Sequence, residues 1–205
     1  MLASSFENAM LIDSDVVFIQ NPEKLFGSHL FKNEGALFFH DRTLYSHGDM
    51  TKKWFKDLLP TQSEYSKGFR VFHDKSAQYV LLSNIVSEQE SGVVVVNKKT
   101  NFVGLLASCT LNVGNIRDLT YEFVFGDKET FWLGFETVGE SYKFNGFMPG
   151  TLGTPKMKDR KHELCGRQIL HLDEQQVPMW INGGIAERKV FRALLIFSMM
   201  RIVHL

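Results

Sequence analysis

Four consecutive valines, Val93 to Val96, restrict this chain more than any other stretch. β-branched side chains are stiff at χ1 and favour the pleated strand, and a strand apolar at every position has to be covered on both faces. Three further short apolar runs have the same character: Met10–Ile12, Ala36–Phe39 and Ile169–Leu172. Between the runs lie helical patterns. "SAQYVLLSNIV" opens at a capping residue, Ser76, and "NFVGLLASCTL" follows Thr100. "DKETFWLGFETVG" begins at Asp127, sets Phe131, Trp132, Phe135 and Val138 near one face, and stops at Gly139. Strands alternating with helices predict an α/β fold: a mixed, mostly parallel sheet flanked by helices. Residues 143–166, rich in Gly, Pro and charge, read as one long loop, a lid or acceptor-binding segment.

The chain has 205 residues, enough for one core, and Lys+Arg equals Asp+Glu at 23 each. A zero net charge gives bulk electrostatics no role in drawing the chain to nucleic acid or anionic membrane. Cys109 and Cys165 are too few for a disulfide framework and lack metal-ligand spacing, so they either pair with each other or stay thiols. Met1 to Ser5 shows no basic and apolar sequence of a secretory signal. Near the other end only Ala193 to Met200, between Arg192 and Arg201, is free of charge. A membrane span needs about 20 such residues, so no span is expected, and 185–205 reads as an apolar packing helix or an atypical tail.

"MLIDSDVVFI" sets two aspartates inside an apolar run. Side chains two apart on an extended backbone point the same way, so Asp13 and Asp15 can converge at a strand end. Two converging carboxylates suit a hard divalent cation, Mn²⁺ or Mg²⁺, which shares its other positions with substrate phosphates. Capping or turning the chain past a strand is the ordinary alternative, with Asn21-Pro22 marking the next turn. Elsewhere His171 closes an apolar run and could complete a metal shell, or serve structure alone, and Trp180 and the pair Gly183-Gly184 follow it. Glu90-Ser91-Gly92 precedes the valines, where glycine would let backbone approach a ligand or simply turn the chain. Asp127 and Glu129 open the Phe/Trp helix as caps or as charge-stabilising carboxylates.

Taken in order, "FENAMLIDSDVVFIQNPEKLF", "GALFFHDR", "EQESGVVVVNK", "YEFVFGDKETFWLGFE" and "CGRQILHLDEQQVPMWINGG" resemble the fungal α-1,3-mannosyltransferases of glycosyltransferase family 71. The resemblance runs to about Gly184 and implies a partial GT-A-like catalytic domain over 1–184, whose nucleotide-binding half and membrane anchor would lie upstream of Met1. It implies retaining, Mn²⁺-assisted (or Mg²⁺-assisted) transfer of mannose from GDP-mannose to a mannosylated glycoprotein in the Golgi lumen. Carried over by position, Asp13 and Asp15 are the metal and donor-diphosphate D-x-D, His171 closes the metal shell, and Asp127 sits where a donor-sugar or active-site carboxylate is kept. Glu90, Ser91, Gly92, Trp180, Gly183 and Gly184 are expected around the donor. Retention calls for a carboxylate nucleophile or for same-face attack within an ion pair, with Asp127 and Glu129, then Glu90, as the candidate carboxylates. A phosphohydrolase using Asp13 and Asp15 on water, and a non-catalytic remnant that binds a partner through its apolar C-terminal segment, are the competing functions.

Overall fold

The computed structural model describes residues 1–42, 49–58, 89–158 and 161–183. The helix expected from Ser76, Gly184 and the 185–205 segment lie outside these residues. In chain order the elements are β1 (Asn8–Ile12), β2 (Val17–Phe18), α1 (Lys24–Gly27), α2 (His29–Glu34), β3 (Ala36–His40), α3 (Asp49–Leu58), β4 (Gln89–Asn97), α4 (Phe102–Thr110), α5 (Gly114–Thr120), α6 (Thr130–Val138), β5 (Lys143–Phe144), β6 (Gly150–Lys158), β7 (Lys161–Leu172) and β8 (Pro178–Asn182).

Every apolar run named from the sequence falls within a strand, and β4, which holds the valines, is a central one. The first sheet has the order β1-β4-β3-β5 and the second β2-β8-β7-β6. β4 runs antiparallel to β1, with Ile12 opposite Val93, and antiparallel to β3, with Leu37 opposite Val95. The one parallel pairing among the described residues joins β3 to β5. A mostly parallel sheet is therefore corrected: the first sheet is mixed and the second antiparallel.

The physical reason is visible in the core. Ala36, Phe38, Val94 and Val96 face one apolar cluster with Phe55, Trp132, Leu133, Phe135, Tyr142 and Phe144. Leu37, Phe39, Val93 and Val95 face a second cluster with Leu25, Phe31, Met179 and Trp180. Helices cover one side of the sheet, and the second sheet with α1 and α2 covers the other. Burial on both faces sets an unbroken apolar run whatever the strand direction, and each valine so buried contributes about 1.5–3 kcal/mol.

Most of the described residues within 143–166 lie in β5, β6 and the first half of β7, and β6 pairs with β7, so the expected long loop is a hairpin instead. The register breaks between Leu152 and Thr154, and a Cβ on Gly166 would run into the Leu152 carbonyl. Glycine there permits a close bulged crossing. Pro155 is tolerated because β6 is the edge strand of its sheet.

Helix ends are held by carboxylates from a distance. Glu140 accepts from Val103 N at 3.1 Å and Gly104 N at 2.7 Å, capping α4. Glu174, in the β7–β8 turn, accepts from His29 N at 3.1 Å and Leu30 N at 2.9 Å, fastening the second sheet to α2. The α6 helix starts at Thr130 rather than Asp127 and ends on Gly139, at φ 72°, as the Gly stop implied. No helix of the described residues is long and apolar enough to cross a membrane.

Candidate active site

The Asp13-Ser14-Asp15 turn leads from β1 in the first sheet to β2 in the second, so it lies at the seam between them. All three residues are exposed. Asp13 N donates to the Gly92 carbonyl at 2.9 Å, Val16 N donates to the Asp13 carbonyl at 3.2 Å, and Ser14 N donates to Asp13 Oδ1 at 2.7 Å. The backbone is thereby fixed while carboxylate oxygens remain open to solvent.

Beneath the turn, β4 changes register against β3: Leu37 faces Val95, but Phe39 faces Glu90. The irregularity surrounds Glu90-Ser91-Gly92. Glu90 Oε1 accepts from Gly92 N and from Asn182 Nδ2, each at 2.9 Å, so one buried carboxylate ties β4 to the last strand of the second sheet. A Cβ at Gly92 would sit 3.0 Å from the Trp180 ring and 3.1 Å from both Asn182 Nδ2 and Val16, so the seam closes tightly only around glycine. Ser91 is half-buried, and Gly183, at φ 105°, is exposed just beyond Asn182, donating to Asn182 Oδ1 at 2.8 Å.

Lys128 adds the positive charge. Its ammonium donates to Asp41 Oδ2 at 3.0 Å and lies 3.5 Å from Glu90 Oε2. Burial works against its charge, but Glu90 and Asp41 outweigh burial and hold it above the usual lysine range. Arg42 approaches Asp41 Oδ1 at 3.8 Å from the exposed side.

His171 does not join the aspartates. It is buried, its ring stacked on Trp180 with centroids 3.9 Å apart and edge-on to Phe39. Burial first, then the charges of His40 and Lys128, lower its pKa to about 3, so it is neutral, and its Nε2 is buried without a hydrogen-bond partner among the described residues. Among the described residues no three His, Cys, Asp or Glu side chains gather to hold a metal, so the expected Asp13, Asp15 and His171 shell is not assembled. The two aspartates fit a hard divalent cation by their oxygen chemistry and exposure; the imidazole is placed in the apolar core.

The other sequence candidates separate. Asp127 is exposed, in the turn before α6. Glu129 is buried, accepting from the Trp132 indole N–H and from Gln89 N, at 3.3 Å, so it anchors α6 to β4. Lys128, Asp41 and Asn182 were not singled out from sequence. Lys128 stands between two acids in "DKE", yet only the fold shows that its partner is Asp41, 87 residues away. Cys109 is a free thiol.

A family model described as "Mannosyltransferase putative" matches residues 1–173. The chain is 30% identical over 204 residues to "Putative alpha-1,3-mannosyltransferase MNN15" of Candida albicans, covering 91% of this chain and 26% of that protein. It is 30% identical over 219 residues to alpha-1,3-mannosyltransferase MNT3 of Saccharomyces cerevisiae, covering 92% and 33%. To alpha-1,3-mannosyltransferase MNT2 of the same yeast it is 28% identical over 202 residues, covering 89% and 35%. The chain spans about a quarter to a third of the length of these curated relatives. A D-x-D turn fixed at the seam of two sheets, in a sequence matched by that model along most of its length, leads to one statement of kinship: this chain belongs to the mannosyltransferase family that the model describes.

Proposed function

We propose that the chain carries the donor side of a mannosyltransferase, moving mannose from GDP-mannose to a mannose-containing protein glycan in an α-1,3 linkage, within the Golgi lumen. The linkage follows from the relatives' names; the nucleotide, metal and compartment follow from the family resemblance. The observation that carries the reading is the exposed Asp13 and Asp15 pair on a turn held by the Gly92 carbonyl. Asp13 and Asp15 would hold Mn²⁺ or Mg²⁺. When bound, that cation would supply Lewis-acid stabilisation for the negative charge left on the departing diphosphate.

The chain's own residues then divide the work. Ser91 and Gly183 are the seam residues left accessible to the donor; Gly92 is packed against Trp180, Asn182 and Val16 and serves through its carbonyl, which holds Asp13 N, while Asn182 keeps Glu90 in place. Glu90 is buried, with Oε1 hydrogen-bonded to Gly92 N and Asn182 Nδ2 and Oε2 without a hydrogen-bond partner among the described residues but 3.5 Å from the Lys128 ammonium, and Glu129 is committed to Trp132 and Gln89. Glu129 is not free to form a covalent glycosyl intermediate, and Glu90 could do so only by giving up its ion pair with Lys128. Their commitment supports same-face attack, in which the acceptor hydroxyl approaches as the diphosphate leaves and gives its proton to a diphosphate oxygen, without a protein nucleophile. Asp127, being exposed, is the remaining candidate for contact with the sugar.

Calorimetric titration of the chain with GDP, with and without Mn²⁺, tests the donor site. Binding is expected only with the metal and is expected to fall at least about tenfold in Asp15→Ala, the loss usual for a removed metal contact. Metal-independent binding, or binding unchanged in Asp15→Ala, would remove the D-x-D turn from the account.

A further inference from the structure

Lys128 is the least explained charged group at the seam. It comes from the turn before α6, whereas its two partners come from the end of β3 and the start of β4. Side-chain exposure is 1% for both Asp41 and Glu90 and 30% for Lys128. Carboxylates so deeply buried need compensation, and Lys128 places one cation against both, beside the Arg42 contact to Asp41 and the Gly92 and Asn182 hydrogen bonds to Glu90. Glu90 in turn has its other oxygen on Gly92 N and Asn182 Nδ2, and the carbonyl of Gly92 receives Asp13 N. A continuous line of contacts thus runs from the Lys128 ammonium through Glu90 and Gly92 to the first aspartate of the D-x-D.

We propose that Lys128 is a positioning residue for the transfer, acting through Glu90 to hold the Asp13-Ser14-Asp15 turn at the seam. This rests on the reading that the turn binds the donor. Without the ammonium, Glu90 Oε2 is left with no cation among the described residues, and Glu90 swings toward solvent. Gly92 N and Asn182 then lose their acceptor, and the Gly92 carbonyl no longer has a fixed place for Asp13 N. Arginine at 128 keeps the charge and the bridge. A role confined to general packing would spread its loss over the core, whereas this line of contacts confines it to two segments.

Amide hydrogen exchange on the full chain tests the coupling without requiring activity. In Lys128→Met, residues 10–16 and 90–94 are expected to exchange about tenfold faster while α4 and α6 keep their protection, and Lys128→Arg is expected to return both segments to within about twofold of the parent. Unchanged protection in Lys128→Met, or an equal loss across the molecule, would overturn the proposal. Should Lys128→Met not fold, Lys128→Met with Asp41→Asn removes one charge of each sign and is read in the same way. In transfer assays, Lys128→Met should raise the KM for GDP-mannose about tenfold with kcat within about twofold, and Lys128→Arg should restore it. An unchanged KM counts against the coupling. A parent chain that transfers no mannose but shows the expected exchange pattern loses the mannosyl reading and keeps the coupling; transfer with unchanged exchange does the reverse.

Discussion

Asp13 and Asp15 are exposed, whereas Asp41, Glu90 and Glu129 are buried, and that contrast assigns their work. The exposed pair is open to solvent, as the proposed ligand role requires; the buried acids hold the seam and α6. Replacing Glu129 with Ala leaves the Trp132 indole and Gln89 N without their acceptor, and urea denaturation should show a loss of about 2–4 kcal/mol. His171 gives a pH signature. Its folded pKa of about 3 lies below the ordinary 6.5, so as pH falls from 6.5 the unfolded chain takes up a proton that the native chain refuses. Stability drops over that window, by about 2–3 kcal/mol at pH 4.5, and is untouched by His171 above pH 6.5. His171→Phe, which keeps a ring against Trp180, should remove that part of the slope in denaturant midpoints measured with chelator present. The D-x-D stood out because two aspartates interrupt an apolar run, but the structure sets it on a turn closed by Val16 N and the Asp13 carbonyl, not on the extended strand end expected. The fate of His171 was not legible: its position at the end of an apolar run is the same whether the ring faces a cleft or a core, and only the pairing of β7 with β8 puts it on Trp180.

At the scale of elements, α4 and α6 pack so closely that a Cβ on Gly134 would collide with the backbone of Ser108, and one on Gly104 with the Phe135 ring. Gly134→Ala should therefore destabilise by about 1–3 kcal/mol, the usual cost of overpacking, although alanine is the better helix former; thermal unfolding of the variant measures it. Strand positions were readable from β-branched and apolar runs, and the Gly139 stop from a helical pattern ending in glycine. Strand direction was not readable, because Val93 to Val96 are buried on both faces by helices on one side and an antiparallel sheet on the other. The β6–β7 hairpin reads as a loop in the sequence because its glycine and proline, punctuation in most segments, here serve a bulged crossing and an edge strand.

At the scale of the whole molecule, the two sheets meet where the chain crosses from β1 to β2, and the crossing itself carries the D-x-D. Glu90 with Asn182, Gln20 with Asp173 at 3.0 Å, and Glu174 with the start of α2 fasten the second sheet around this crossing. The proposed donor site would thus be a product of the join: its exposed aspartates stand out in the sequence, whereas the buried Lys128 ion pairs arise only from the fold. Family membership supports the proposal of mannosyl transfer, and the exposed turn is where that proposal sets it. The most direct test is mannose transfer from GDP-mannose to a free α-mannoside by the chain, with Mn²⁺ and with chelator. The account predicts α-1,3-linked product with Mn²⁺ alone, abolished in Asp15→Ala; no product with the metal, or equal product from Asp15→Ala, would contradict it.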